Sequence, residues 1–181
     1  MKKLFVAFLI LVLVFALLGA GIMTFISYVW GGYRLTPEAA VEAVSLTASE
    51  KEYIDADGFR FYYDIEDGRE GYISDVYIVK RGELGTWYAV TDPSDSYAVA
   101  NKDTGAYVGR LVTVARDGTY HNFYLPPFDR DEGELPDFVN TDYSSVKVGG
   151  EEYEMLLHSY FVTDKEVDGL EIAGTLLTLE K

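Results

Sequence analysis

LFVAFLILVLVFALLGAGIMTFISYVW, residues 4–30, contains no charged side chain. Its only aliphatic hydroxyl groups belong to Thr24 and Ser27. A helix of this length reaches roughly 40 Å, which exceeds the roughly 30 Å hydrocarbon core of a bilayer. Because backbone amides in lipid must pair internally, such a run predicts a transmembrane helix. The stretch therefore divides the chain into a short end at 1–3, a span at 4–30 and a domain at 31–181.

A cleaved signal peptide is the competing interpretation of the same stretch. Its apolar region would be 4–18, and the small residues Gly19-Ala20-Gly21 would form the processing site. The apolar character continues through residues 22–30, where a processed chain would normally become polar. We therefore predict a retained signal anchor, and a secreted protein with a cleaved signal is the alternative.

Cationic residues near the ends of the span predict its orientation. Lys2 and Lys3 precede the span, and Arg34 is the cation close to its other end. Positive charge favours the cytoplasmic side of a membrane helix. We expect a single-pass protein of the cytoplasmic membrane with its N-terminus inside and residues 31–181 outside.

The domain beyond the span is strongly acidic. The chain carries a net charge of −15, and Lys2 and Lys3 lie outside the domain, so residues 31–181 hold 13 basic and 30 acidic side chains and a net charge of −17. This surface repels phosphate backbones and anionic headgroups, which argues against nucleic acid as a partner and against direct binding of the domain to a lipid surface. Cysteine is absent, so disulfides, thiol catalysis and a lipoprotein anchor are excluded.

A short amphipathic helix is predicted directly after the span. Thr36 can cap it, Pro37 suits its first position, and Glu38 favours its positive end. Val41 and Val44, with Ala40 and Ala48, would share the apolar face. We expect this helix to end near Ala48.

The rest of the chain predicts strands. Apolar and polar side chains alternate over 59–65, as in a half-buried strand. Hairpin turns are indicated at Asp117-Gly118 and Gly149-Gly150. Further strands are expected at 72–80, 87–91, 96–100, 107–116, 119–125, 146–148, 153–163 and 170–179. The fold class is α+β and mainly β, with an antiparallel sheet of hairpins. Any division into two lobes would fall in the aperiodic stretch 126–142.

No catalytic or cofactor-binding residue is predicted. His121 and His158 fall in predicted strands, and neither has the spacing of a metal motif. An envelope hydrolase that uses carboxylates with one of these histidines is the enzymatic alternative. Asp129, Asp131 and Glu134 gather oxygen ligands of the kind that calcium prefers, although a solvated acidic loop explains the same residues.

Two short motifs in the sequence resemble those of known envelope proteins. The Thr36-Pro37-Glu38 helix start and the later Asp103-Thr104-Gly105 turn resemble the layout of PepSY-type envelope domains. The whole plan of one span, a short helix and then hairpins resembles a group of uncharacterised single-pass, membrane-anchored surface proteins of Gram-positive bacteria. This resemblance implies no activity and no site residues.

These patterns together predict a membrane-anchored, extracytoplasmic binding or interaction domain. Its partners would be the lipid bilayer, through residues 4–30, and another membrane protein or an envelope peptide. No cofactor is predicted, and an enzymatic role is not indicated.

Overall fold

A computed structural model gives the fold. It describes residues 2–30, 32–44, 52–56, 58–65, 72–90, 95–127 and 143–181. The candidate calcium ligands Asp129, Asp131 and Glu134 lie outside these residues, as does most of the predicted boundary at 126–142.

Helix α1, Lys2–Trp30, contains the predicted span. Its part from Phe5 to Ile26 has a mean hydropathy of 3.0, and none of that part is buried against the rest of the chain. The helix is therefore long and apolar enough to cross a membrane, a property that it shares with signal sequences.

Helix α2, Pro37–Glu42, begins as the sequence predicts. The Thr36 hydroxyl accepts a hydrogen bond from the backbone N–H of Ala39 at 3.2 Å. Ala40 and Val41 are buried, whereas Val44 is 43% exposed. The prediction that the helix runs to about Ala48 is wrong: it ends at Glu42, and Ala48 lies outside the described residues.

Twelve strands in the described residues form two antiparallel sheets. The four-stranded sheet has the order β1-β2-β3-β4, and the eight-stranded sheet has the order β10-β7-β6-β5-β12-β11-β8-β9. The strands are β1 Glu52–Ala56, β2 Phe59–Ile65, β3 Ile73–Arg81, β4 Trp87–Val90, β5 Ser96–Asn101, β6 Tyr107–Arg116, β7 Thr119–Leu125, β8 Ser145–Val148, β9 Glu151–Glu154, β10 Tyr160–Thr163, β11 Gly169–Ile172 and β12 Thr175–Glu180. The mainly β fold predicted from the sequence is confirmed.

The eight-stranded sheet curls round its own apolar core. Its first and last strands, β10 and β9, come into contact. Residues from most of its strands meet inside, and Leu111, Tyr124, Phe161 and Ile172 are among those almost completely buried. Burial of this apolar surface contributes the main favourable free energy of folding.

The four-stranded sheet is covered on both faces. On one face Phe59 and Phe61 of β2 pack against Val112 of β6 and Phe123 of β7. On the other face α2 packs on the same sheet, where Val41 joins a second apolar cluster. The order of layers is therefore α2, the four-stranded sheet, and the outer face of the eight-stranded sheet.

A β-bulge in the eight-stranded sheet requires a glycine. Val99 pairs with Gly109 and Ala100 with Tyr107, so Val108 is the extra residue. Gly109 has a φ of 143°, and a Cβ there would lie 2.5 Å from the carbonyl oxygen of Leu125. A side chain at this position would force β6 and β7 apart.

Two of the predicted strands are in fact pairs of strands. The predicted strand 153–163 is divided by a turn in which Leu157 and His158 have φ values of 52° and 53°. The predicted strand 170–179 is divided at Ala173-Gly174 into the β11–β12 hairpin. Strand β1 was not predicted.

In β2, both faces are buried, because Tyr62 points to α2 while Phe61 points to the other sheet.

Candidate functional site

His121 lies in an aromatic seam between the two sheets. Its Nδ1 is 2.9 Å from the Tyr160 hydroxyl oxygen, and its ring lies 5.5 Å from that of Phe61. Partial burial lowers the pKa of His121 and raises the pKa of Tyr160. The surroundings of this histidine are rings and a hydroxyl, which favours a neutral, packed imidazole.

His158 lies in the turn between β9 and β10, so its prediction as a strand residue is wrong. Its Nδ1 forms a short contact with the carbonyl oxygen of Tyr143. The ring stacks on Tyr72, with 5.1 Å between the centroids. The left-handed backbone at Leu157 and His158 stores strain that this packing offsets. The adjacent Ser159 is buried, and its hydroxyl accepts a hydrogen bond from the Ile73 N–H at 3.2 Å.

The hydrolase alternative needs carboxylates beside a histidine. Across the described ranges, neither His121 nor His158 forms an ion pair with an acid. The same part of the chain holds no group of three or more His, Asp or Glu side chains placed to bind a metal ion. The described geometry therefore offers this alternative no support.

A buried polar network in the eight-stranded sheet was not predicted from the sequence. Asn122 is completely buried; its Oδ1 accepts from the Thr113 hydroxyl at 2.9 Å, and its Nδ2 donates to the Thr163 hydroxyl oxygen at 3.1 Å. Nδ2 also donates to the carbonyl oxygen of Tyr120 at 3.1 Å. The network joins β6, β7 and β10, and its satisfied hydrogen bonds identify a structural role.

A second polar network holds α2 on the four-stranded sheet. The Arg60 guanidinium donates to Asp55 at 2.7 and 3.1 Å and to Glu38 at 2.8 Å. It also lies 4.1 Å from the centroid of the Tyr53 ring. Hydrogen bonding to Asp55 raises the pKa of Arg60. This arrangement fixes the first helix of the domain to β1 and β2.

Several lysines lie around the β8–β9 hairpin. Two cavities of about 320 and 580 Å³ lie there and share Gly149 and Asp168 in their walls. We call them together the hairpin groove. Six lysines follow residue 30, and four of them line the groove: Lys102, Lys147, Lys165 and Lys181. Lysines are therefore grouped at this surface, beside the acidic side chains of Glu166, Asp168 and Glu171.

The lysines of the hairpin groove differ in their partners. Lys147 pairs with Glu171 and Lys165 pairs with Glu151, each at 2.9 Å. Lys181 lies 5.7 Å from the centroid of the Tyr97 ring. Lys102 has no ion-pair partner among the described residues. The groove therefore presents lysine, carboxylate and aromatic groups, which can pair with complementary charges on a partner.

Comparisons with known proteins assign the chain to no family. No protein-family model, curated protein or solved structure matches the chain. The resemblance to PepSY-type domains and to anchored Gram-positive surface proteins stays a prediction.

Proposed function

We propose that the protein is a membrane-anchored, extracytoplasmic interaction domain. The observation that carries the proposal is the exposed apolar helix: α1 buries none of its span against the domain, so its apolar surface needs another environment. A bilayer supplies that environment over the 22 residues from Phe5 to Ile26. The lysines at 2 and 3 support an orientation with the N-terminus inside and the domain outside.

The hairpin groove is the surface that we assign to partner binding. It combines lysines, acidic side chains and a half-buried tyrosine around a tight turn. A neighbouring membrane protein or an envelope peptide with complementary charges fits this chemistry. An anchor raises the local concentration of a domain near such a partner, so modest affinity suffices.

Photo-crosslinking in living cells tests this assignment. A photoreactive amino acid replaces Glu166, which lines the groove, and in a matched strain it replaces Thr119, which is exposed at the β6–β7 turn. We expect a discrete adduct from position 166 and a different or empty pattern from position 119. Identical patterns of abundant neighbours from both positions would contradict the groove as a binding surface.

A further inference from the structure

The junction between α1 and the domain is very short. Arg34 forms two backbone hydrogen bonds with Trp87 at the start of β4, Arg34 N to Trp87 O at 2.6 Å and Trp87 N to Arg34 O at 2.7 Å. Only residues 31–33 lie between Trp30, the last residue of α1, and this pairing. An extended link of this length reaches at most roughly 14 Å. The β4 edge of the four-stranded sheet must therefore stay close to the end of the anchor.

A cavity occupies this junction. Its volume is about 430 Å³, and we call it the membrane-proximal cavity. It is lined by Met23 and Thr24 of α1, by Tyr33 of the link, and by Arg81, Gly82, Glu83, Thr86 and Tyr88 of β3, β4 and their connection. Since Met23 and Thr24 are near the outer end of the apolar span, the cavity is level with the headgroup layer when α1 crosses a bilayer.

The lining of the membrane-proximal cavity has the chemistry of a lipid interface. The rings of Tyr33 and Tyr88 meet edge to face, with 5.1 Å between their centroids. Tyrosine is enriched where headgroups meet hydrocarbon, because its ring is apolar and its hydroxyl is polar. Arg81 is exposed, and its guanidinium has no ion-pair partner within the described ranges. A guanidinium binds phosphate oxygens in a bidentate manner.

We propose that the membrane-proximal cavity binds the phosphate of a membrane phospholipid, with Arg81 as the phosphate ligand and Tyr33 and Tyr88 seated in the headgroup layer. The proposal rests on the retained anchor of the proposed function. It also assigns an orientation: the connection between β3 and β4 faces the bilayer.

The acidic charge of the domain does not oppose this contact locally. A net charge of −17 repels an anionic membrane as a whole, but the cavity lining contains one arginine and one glutamate, and Arg34 lies beside it. Repulsion acting on the rest of the surface would hold the other faces away from the membrane. Only the face with this cavity would touch the lipid.

Fluorescence quenching on the full-length protein tests the orientation. Because the chain has no cysteine, Glu83→Cys and Thr119→Cys each give a single site for a fluorescent label. Each protein is reconstituted in phosphatidylcholine nanodiscs that carry a headgroup-attached quencher. We expect strong quenching at position 83 and little at position 119. Equal quenching at both positions, or none at position 83, would overturn the proposed orientation.

The role of Arg81 needs a second variant in the same experiment. Adding Arg81→Gln should lower quenching at position 83 roughly two-fold or more. Arg110→Gln is the matched control and should leave the quenching unchanged, because Arg110 pairs with Asp75 at the other end of β3. Unchanged quenching in the Arg81→Gln protein would overturn Arg81 as the phosphate ligand. Nanodiscs with added phosphatidylglycerol should strengthen the contact further, since the lipid then carries a net negative charge.

Two controls accompany this experiment. One distinguishes a phospholipid from inorganic phosphate as the ligand, and the other distinguishes this inference from the retained anchor of the proposed function. Native mass spectrometry of the detergent-solubilised full chain should show a phospholipid adduct that Arg81→Gln removes. If only inorganic phosphate binds, and no phospholipid adduct forms, the lipid proposal is overturned. Flotation of the nanodiscs reports insertion separately: protein that inserts without quenching at position 83 contradicts this inference alone, and protein that fails to insert contradicts the retained anchor.

Discussion

The four-stranded sheet is buried by other parts of the chain on both faces, whereas the eight-stranded sheet surrounds a core of its own. Phe61 of the first sheet packs against β6 and β7 of the second, and Tyr62 on its reverse face packs under α2. Phe161 of the second sheet packs among residues of the same sheet. The sheet that follows α1 is therefore the more dependent one, and it connects this helix to the self-contained part of the fold.

The largest loss in the free energy of unfolding is expected from Phe61→Ala. Phe61 is completely buried, and its ring centroid lies 4.9 Å from that of Phe123 across the seam. Loss of this side chain should lower the free energy of unfolding by about 3–5 kcal/mol. Chemical denaturation of the detergent-solubilised full chain measures the loss.

The matched variant Phe161→Ala sharpens the comparison. It should lower the free energy of unfolding by a similar amount, about 3–5 kcal/mol, because Phe161 is buried to the same extent as Phe61. Hydrogen exchange should differ: faster exchange in β1–β4 for Phe61→Ala, and in the eight-stranded sheet for Phe161→Ala. The same exchange pattern in both variants would contradict the distinction between the sheets.

A smaller loss is expected from Asn122→Ala in the eight-stranded sheet. The change leaves the hydroxyls of Thr113 and Thr163 without their amide partner inside the sheet. We expect a loss of about 1–3 kcal/mol in the free energy of unfolding. A double-mutant cycle with Thr163→Val measures the coupling between the two side chains, and strictly additive losses would contradict the network.

Thr36→Ala removes the cap of α2 and tests how the helix supports the four-stranded sheet. The loss should be about 1 kcal/mol, because one backbone N–H of the first turn loses its acceptor. Thr36→Ser is the control, since it retains the hydroxyl and should restore most of the stability. Equal stability of the Ala and Ser variants would show that the cap contributes nothing.

The smallest expected effect is a pH dependence of folding stability that comes from His121 between the two sheets. Burial lowers the pKa of His121 below 6.5, so the unfolded chain binds a proton at this residue more readily than the folded chain. Stability from this group is present above about pH 6.5 and is lost as the pH falls toward the lower folded pKa. His121→Gln should therefore flatten the stability profile as the pH falls below about 6.5, as measured by denaturation at each pH. An unchanged slope would mean that His121 does not titrate in the seam.

Local sequence signals predicted much of the fold. Asp117-Gly118 forms the predicted hairpin turn, with positive φ values at both residues. The same dipeptide, Asp57-Gly58, directly precedes β2 in the sequence and is the local signal for β1. Leu157 carries no such signal, because leucine rarely adopts a left-handed backbone, and tertiary packing imposes the turn there.

The candidate surfaces depend on contacts that no local pattern encodes. Lys102 and Lys147 share a cavity because β12 and β11 lie between β5 and β8 in the sheet order. Likewise, Arg81 approaches α1 because Arg34 pairs with Trp87, far along the chain. Strand order and long-range pairing place these residues, and alternation within a strand reveals neither.

The intact mass of the protein extracted from the membrane fraction distinguishes a retained anchor from a cleaved signal. We expect a mass that includes residues 4–30, because α1 remains attached as the anchor. A mature chain that begins after Ala20 or Gly21 would contradict the account and would identify the apolar helix as a cleaved signal.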